Sequence, residues 1–243
     1  VFGGGKNGGK SWLGCEWLAR CCLSFPGTKW FMARESLKDL RKSTLATFFK
    51  MARASHIEKS LFHYNGQDHF IEFANESKID LLECANLPSD PMFERYGSLE
   101  YTGGWIEEAG QVPFGAYDAL GASVGRHLND QYDILGKMLI TCNPKKNWLY
   151  RDFWQPFKAG NLEPSKRFIQ SLVGDNTKRE SGSLEKLEAI KDPVTKQRLL
   201  FGNWDYEDDP SALMAYDAIC GIFTNQHVKQ DPANKYLTAD IAR

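Results

Sequence analysis

The chain has 243 residues, 42% of them hydrophobic and 25% charged, a composition that suits one large globular core or a core with a small appendage. Thirty basic residues against 31 acidic ones leave a net charge of -1, which excludes a global basic field for nucleic acid and reduces any such contact to a local patch. No run reaches the roughly 18 apolar residues of a membrane helix and no charged, then apolar, start marks a signal peptide, so no membrane partner is expected.

The first motif is "GGGKNGGKS", residues 3 to 11. Gly4, Gly9, Lys10 and Ser11 fit G-x-x-x-x-G-K-S, in which backbone N–H groups and a helix N-terminus form a concave anion site. Lys10 then reaches the β and γ phosphates and Ser11 binds Mg²⁺. Apolar residues at Leu13, Trp17, Leu18, Cys21, Cys22 and Phe25 predict the helix that follows, ended by Pro26-Gly27. "TKWFMAR" reads as a buried strand ending at Arg34, and "SLKDLRKSTLATFFKMA" as a helix with Ser36 as N-cap and Leu37, Leu40, Leu45 and Phe48 inward.

Between about 60 and 84, alternation around Asn65-Gly66 and a second turn near Asn75 predicts antiparallel strands. "YTGGWIEEAG" is a short strand reaching a loop, "AYDALGASVGRHL" a helix, and "GKMLITCNP" an apolar strand stopped by Asn143-Pro144. Strands alternating with helices predict an α/β fold with a mainly parallel sheet. Beyond 145 the pattern turns to short aromatic and charged helices without strand signals, a smaller and mostly helical subdomain. "KQDPANKY" (229 to 236) reads as a linker, and "YLTADIA" as a new strand. The six cysteines (Cys15, Cys21, Cys22, Cys84, Cys142, Cys220) form no CxxC pair and read as buried reduced thiols.

The acids of "WIEEAG" decide more than the loop does. Where such a loop hydrolyses its nucleotide, a strand ends in two acids, the first on hydrated Mg²⁺ and the second on the attacking water. Glu107 takes the first role and Glu108 the second. The strand before Asn143-Pro144 delivers Thr141 and Asn143 to the same sheet edge, where polar side chains would sense the γ phosphate.

Together these stretches resemble the ATPase domain of a large terminase subunit, the motor that packages viral DNA into capsids. "GGGKNGGKS" resembles its Walker A loop (Gly4, Gly5, Lys6, Asn7, Gly8, Gly9, Lys10, Ser11), with Lys6 where many members carry arginine. "WIEEAG" resembles its Walker B and catalytic glutamate, although the family usually has Asp where this chain has Glu107. "TCNPKKNW" resembles its coupling motif, "FANESKIDLLEC" its hairpin, and "LEKLEAIKDPVTKQRLLFGNWD" its lid.

The resemblance implies a P-loop NTPase of the ASCE type, with a core at 1–148, a lid and linker at 149–230, and at 231–243 the start of an RNase H-like nuclease domain. Asp240 would be the first nuclease metal ligand there, in an incomplete site without activity of its own. The resemblance further implies ATP and Mg²⁺ as cofactors and a divalent metal for the nuclease domain. Implied partners are double-stranded DNA, the portal of the procapsid, the small terminase subunit and copies of the chain itself in a ring. The setting would be the cytoplasm of the host cell, or the nucleus for a eukaryotic virus. Residues contacting adenine are expected upstream of Val1. An arginine from the neighbouring subunit would complete hydrolysis, with Arg95 as first candidate and Arg126 as its competitor. Basic pairs at Lys145–Lys146, Lys166–Arg167 and Lys178–Arg179 are candidates for DNA phosphates. The competing functions are another P-loop translocase or helicase, or a nucleotide-dependent assembly module that does not catalyse.

Overall fold

The computed structural model describes residues 1–206; the 229–236 linker, the strand expected after it, Asp240 and Cys220 lie outside them. From the start, β1 (Phe2–Gly4) enters the glycine loop and α1 (Lys10–Ser24), then β2 (Lys29–Arg34) follows. A helical segment comes next: α2 (Leu37–Asp39), a π-helical turn (Leu40–Thr44) and α3 (Leu45–Ala54). The meander β3 (Phe62–Asn65), β4 (Phe70–Phe73), β5 (Lys78–Glu83) leads to β6 (Gly103–Ile106), α4 (Phe114–Ser123), α5 (Asn129–Tyr132) and β7 (Lys137–Cys142). A π-helical turn (Tyr150–Trp154), α6 (Gln155–Lys158), β8 (Ile169–Ser171), α7 (Ser183–Glu188) and α8 (Pro193–Leu199) complete it.

The sheet runs β3-β4-β5-β2-β6-β7-β1-β8. From β5 to β8 every neighbouring pair is parallel, and β3 and β4 extend it as an antiparallel edge. This is the mainly parallel α/β architecture that alternating strand and helix patterns predict. Its order matters for function: β7 lies between the loop strand β1 and the acidic strand β6, so one strand end can touch both. Ser36 caps α2 by accepting from the Asp39 amide at 3.4 Å, and Asn75 and Ser77 both donate to the Cys22 carbonyl at 2.8 Å, satisfying the last turn of α1.

The core gathers between α1, α3 and the sheet: Leu18, Cys22, Met32, Phe48, Ile79 and Trp105 are almost wholly buried. Burying each of the Leu, Met, Phe and Ile side chains contributes on the order of 1.5–3 kcal/mol of hydrophobic stabilisation. The buried face of α1 is rotated from the predicted one. Gly14, Cys15, Leu18, Ala19 and Cys22 point inward, whereas Leu13 is 41% exposed and Trp17, Cys21 and Phe25 are half-buried. The cause is steric, because a Cβ on Gly14 would come within 2.3 Å of the Trp105 ring. Small residues mark where helix and indole meet most closely, and they carry no apolar signal.

Two further expectations change. The helix expected over 116–128 ends at Ser123, where Val124 turns extended and bridges to Tyr101. The segment beyond 145 contains a strand, β8, which pairs with β1 from Phe2 opposite Ile169 to Gly4 opposite Ser171. Three residues are too few for alternation to register. The rest of that segment packs through aromatics: Trp204 is fully buried, stacks on Trp154 at 5.9 Å and would lie 2.9 Å from a Cβ on Gly3. Asp205 ties the same stretch down by accepting from Tyr150, Trp154 and Lys158. Of the cysteines, Cys15, Cys22, Cys84 and Cys142 are buried and Cys21 is half-buried, all as free thiols.

Candidate active site

β1, β7 and β6 end side by side, and the glycine loop rises from the tip of β1. Gly9 caps α1 in the left-handed region at φ 79°, which keeps any side chain out of the way, and no side chain caps the helix. The first amides of this 15-residue helix are therefore open toward the cavity beside it, as an anion requires. That cavity, of about 430 Å³, is lined by the loop from Lys6 to Ser11 together with Ser43, Glu108 and Asn143. Asn176, Lys178, Arg179 and Ser183 close it from the other side.

The cavity residues are linked. The Lys10 amine donates to the carbonyls of Gly4 and Gly5 and, at 3.2 Å, to Asn143 Oδ1. Asn143 in turn donates from Nδ2 to Glu108 Oε2 at 3.1 Å. Asn143 is thus a bridge between the loop lysine and the second acid. Burial pushes the Lys10 amine below its usual range, and the Glu108 charge is the largest influence holding it up.

The two adjacent acids diverge. Glu108 sits at φ 49°, a left-handed conformation that is costly for a non-glycine residue, and that turn carries it into the cavity lining. Glu107 remains beneath, 3% exposed, with Thr44 donating to its Oε2 and Arg34 Nη1 at 3.7 Å. Burial pushes the Glu107 carboxyl up to about 6, against the Ser11 hydrogen bond and the Arg34 charge, which pull it down. The Ser11 hydroxyl and the Glu107 carboxylate are hard oxygen donors, a set that fits Mg²⁺ shared with substrate phosphates.

Other expected site residues stand elsewhere. Thr141 is buried, its hydroxyl accepting from Trp105 Nε1 at 2.9 Å, and it does not line the cavity. Arg95 does not line it either: its guanidinium donates to Asp90 at 2.6 Å and to the Ala85 carbonyl at 2.7 Å, stacked against Phe93 and Tyr96. Arg126 is half-exposed and paired with Glu100. Lys178 and Arg179, which in the sequence read as candidates for DNA phosphates, line the cavity beside the loop.

The back of the loop is walled by the later segment. The Lys6 amide donates to the Leu199 carbonyl at 2.7 Å, Ser171 Oγ to Gly8 O at 2.8 Å, and Asn176 Nδ2 to Asn7 O at 2.9 Å. Ser43, Thr44, Arg34 and Asn176 carried no sequence signal, since each is an ordinary polar residue whose relevance comes from tertiary contact.

Solved structures show the same fold. The large terminase of a thermophilic bacteriophage superimposes with a TM-score of 0.65 at 15% identity, over 85% of this chain and 48% of that one. The complex of that terminase with ADP gives 0.64 at 16% identity, over 84% and 48%. The large terminase ATPase domain of Thermus phage P74-26 gives 0.58 at 13% identity, over 84% and 87%. The chain thus spans about half the length of the first of these terminases and most of the P74-26 domain. No curated protein sequence matches it. Residues 1–215 match the family model described as terminase large subunit, T4likevirus-type, N-terminal, and the chain belongs to that family.

Proposed function

We propose that the chain is the ATP-hydrolysing motor of a large terminase subunit and drives double-stranded viral DNA into a procapsid. The observation that carries this is the hydrogen-bonded line from Lys10 through Asn143 to Glu108 across one cavity at the glycine loop. It joins a phosphate-binding lysine to an acid able to activate water, through the residue between them.

In this scheme the loop amides and the start of α1 hold the phosphates, and Lys10 exchanges its carbonyl partners for phosphate oxygens. Ser11 and Glu107 would hold Mg²⁺, which would neutralise phosphate charge when bound. Glu108 orients the attacking water and accepts its proton. Asn143 relays the change at the γ phosphate between Lys10 and Glu108, and Thr141 supports it from below by fixing β7 against Trp105. Lys178 and Arg179 add positive charge from the lid. Arg95 acts on the neighbouring subunit of a ring, for which it must exchange Asp90 for phosphate. The ADP complex of the thermophilic phage terminase supports a nucleotide in this fold.

The division is into a core at 1–148, a lid and linker at 149–230 and the beginning of a nuclease domain at 231–243, where Asp240 contributes to a metal site completed by other residues. The partners are double-stranded DNA, the portal and the small terminase subunit, in the host cytoplasm. The test is steady-state ATP hydrolysis by the full-length protein with and without linear duplex DNA. Stimulation by DNA supports the motor. ATP that binds without ever turning over would favour an assembly module instead.

A further inference from the structure

Thr44 is fully buried, and a hydroxyl so placed needs a partner. A helical threonine commonly returns its hydroxyl to the carbonyl four residues back, as Thr47 does to Ser43 at 3.1 Å. Thr44 instead donates to Glu107 Oε2, on the far side of the sequence. Thr44 closes the π-helical turn Leu40–Thr44, and both ends of that turn, Leu40 and Thr44, are buried. Such turns inside helices are frequent at functional sites. Arg34, at the end of β2, approaches the same oxygen with Nη1 at 3.7 Å, and its Nε is buried without a hydrogen-bond partner among the described residues.

A glutamate has several rotatable bonds, so its head keeps one orientation only when something anchors it. At Glu107 the anchors come from β2 and from the π-helical turn, both outside the recognised motifs. We propose that Thr44, with Arg34, is a positioning residue that holds Oε2 of Glu107, so that the carboxylate's other oxygen is presented to the Mg²⁺ that Ser11 shares. The proposal rests on the nucleotide site argued above. It adds a second layer of residues that sets metal affinity without touching nucleotide.

The test uses the full-length protein, ADP, and Mn²⁺ as the paramagnetic probe, with free Mn²⁺ read by electron spin resonance. Thr44→Val should weaken Mn²⁺ in the ADP complex by about ten-fold or more, the usual cost of losing an outer partner of a metal ligand. Affinity for ADP without metal should be unchanged, and Thr44→Ser should restore Mn²⁺ binding because it restores the hydroxyl. Arg34→Gln should weaken Mn²⁺ in the same direction, and it carries the test if Thr44→Val does not fold. A folded Thr44→Val protein that binds Mn²⁺ with ADP as tightly as the parent overturns the proposal. So does a Thr44→Ser protein as weak as Thr44→Val. A parent that binds ADP but shows no ADP-dependent Mn²⁺ site overturns the metal role of Glu107 and the proposal together. A parent that binds no ADP removes the nucleotide site itself, a separate failure.

Discussion

The two sides of the cavity are built differently. On the sheet side, buried Lys10 and half-buried Asn143 are joined to each other and to Glu108 by side-chain hydrogen bonds, with Glu107 buried beneath them and held by Thr44. On the opposite side, Lys178 and Arg179 are exposed, and they reach the loop mainly through Asn176, which donates to Asn7 and accepts from the Lys178 amide. Around α7 and α8 a small cluster of Val173, Leu187 and Leu200 is buried, with Leu184, Ile190 and Leu199 packed against it. A site whose one wall is rigid and whose other is lightly held is suited to chemistry on the first and to opening and closing on the second.

Substitutions can break this contrast. The largest effect is expected away from both walls: Arg95→Ala should leave ATP binding intact yet lower turnover of the assembled ring by roughly 10³ to 10⁵, as for arginine fingers. Normal turnover in that variant would return the role to Arg126. Glu108→Gln, on the rigid wall, should lower hydrolysis by roughly 10² to 10⁴ with nucleotide still bound. Trp204→Ala removes the fully buried indole that fills the space beneath Gly3, and it should cost about 3–5 kcal/mol of stability, read by denaturant unfolding. The smallest effect belongs to the lightly held wall. Lys178→Ala with Arg179→Ala should weaken ATP by about ten-fold through lost charged hydrogen bonds. If the double variant binds ATP normally but loses salt-sensitive DNA affinity, these two residues track DNA phosphates instead.

The same contrast governs what could be read from the sequence. The glycine loop, the two acids and the strand before Asn143 are local patterns, and each element stands where its pattern put it, including the antiparallel pair β3 and β4 around Asn65. Four kinds of information were not local. The inward face of α1 is set by Gly14 against Trp105, and glycine gives no periodic signal. β8 exists because β1 offers it an edge, which three residues cannot announce. Thr141 turns toward Trp105 and Asn143 toward Glu108, a separation fixed at the end of β7 and visible only once its neighbours are known. Lys178 and Arg179 read in the sequence as a candidate pair for DNA phosphates, and their place beside the loop is visible only in the fold.

The central claim is that Glu108, held on the Lys10–Asn143 line, activates water at a nucleotide bound by the glycine loop. Its most direct test is ATP binding and single-turnover hydrolysis on the same preparations of parent, Lys10→Ala and Glu108→Gln proteins. The account predicts that Lys10→Ala loses binding, while Glu108→Gln binds ATP as the parent does and leaves it uncleaved. A Glu108→Gln protein that cleaves bound ATP at the parent's rate would contradict it.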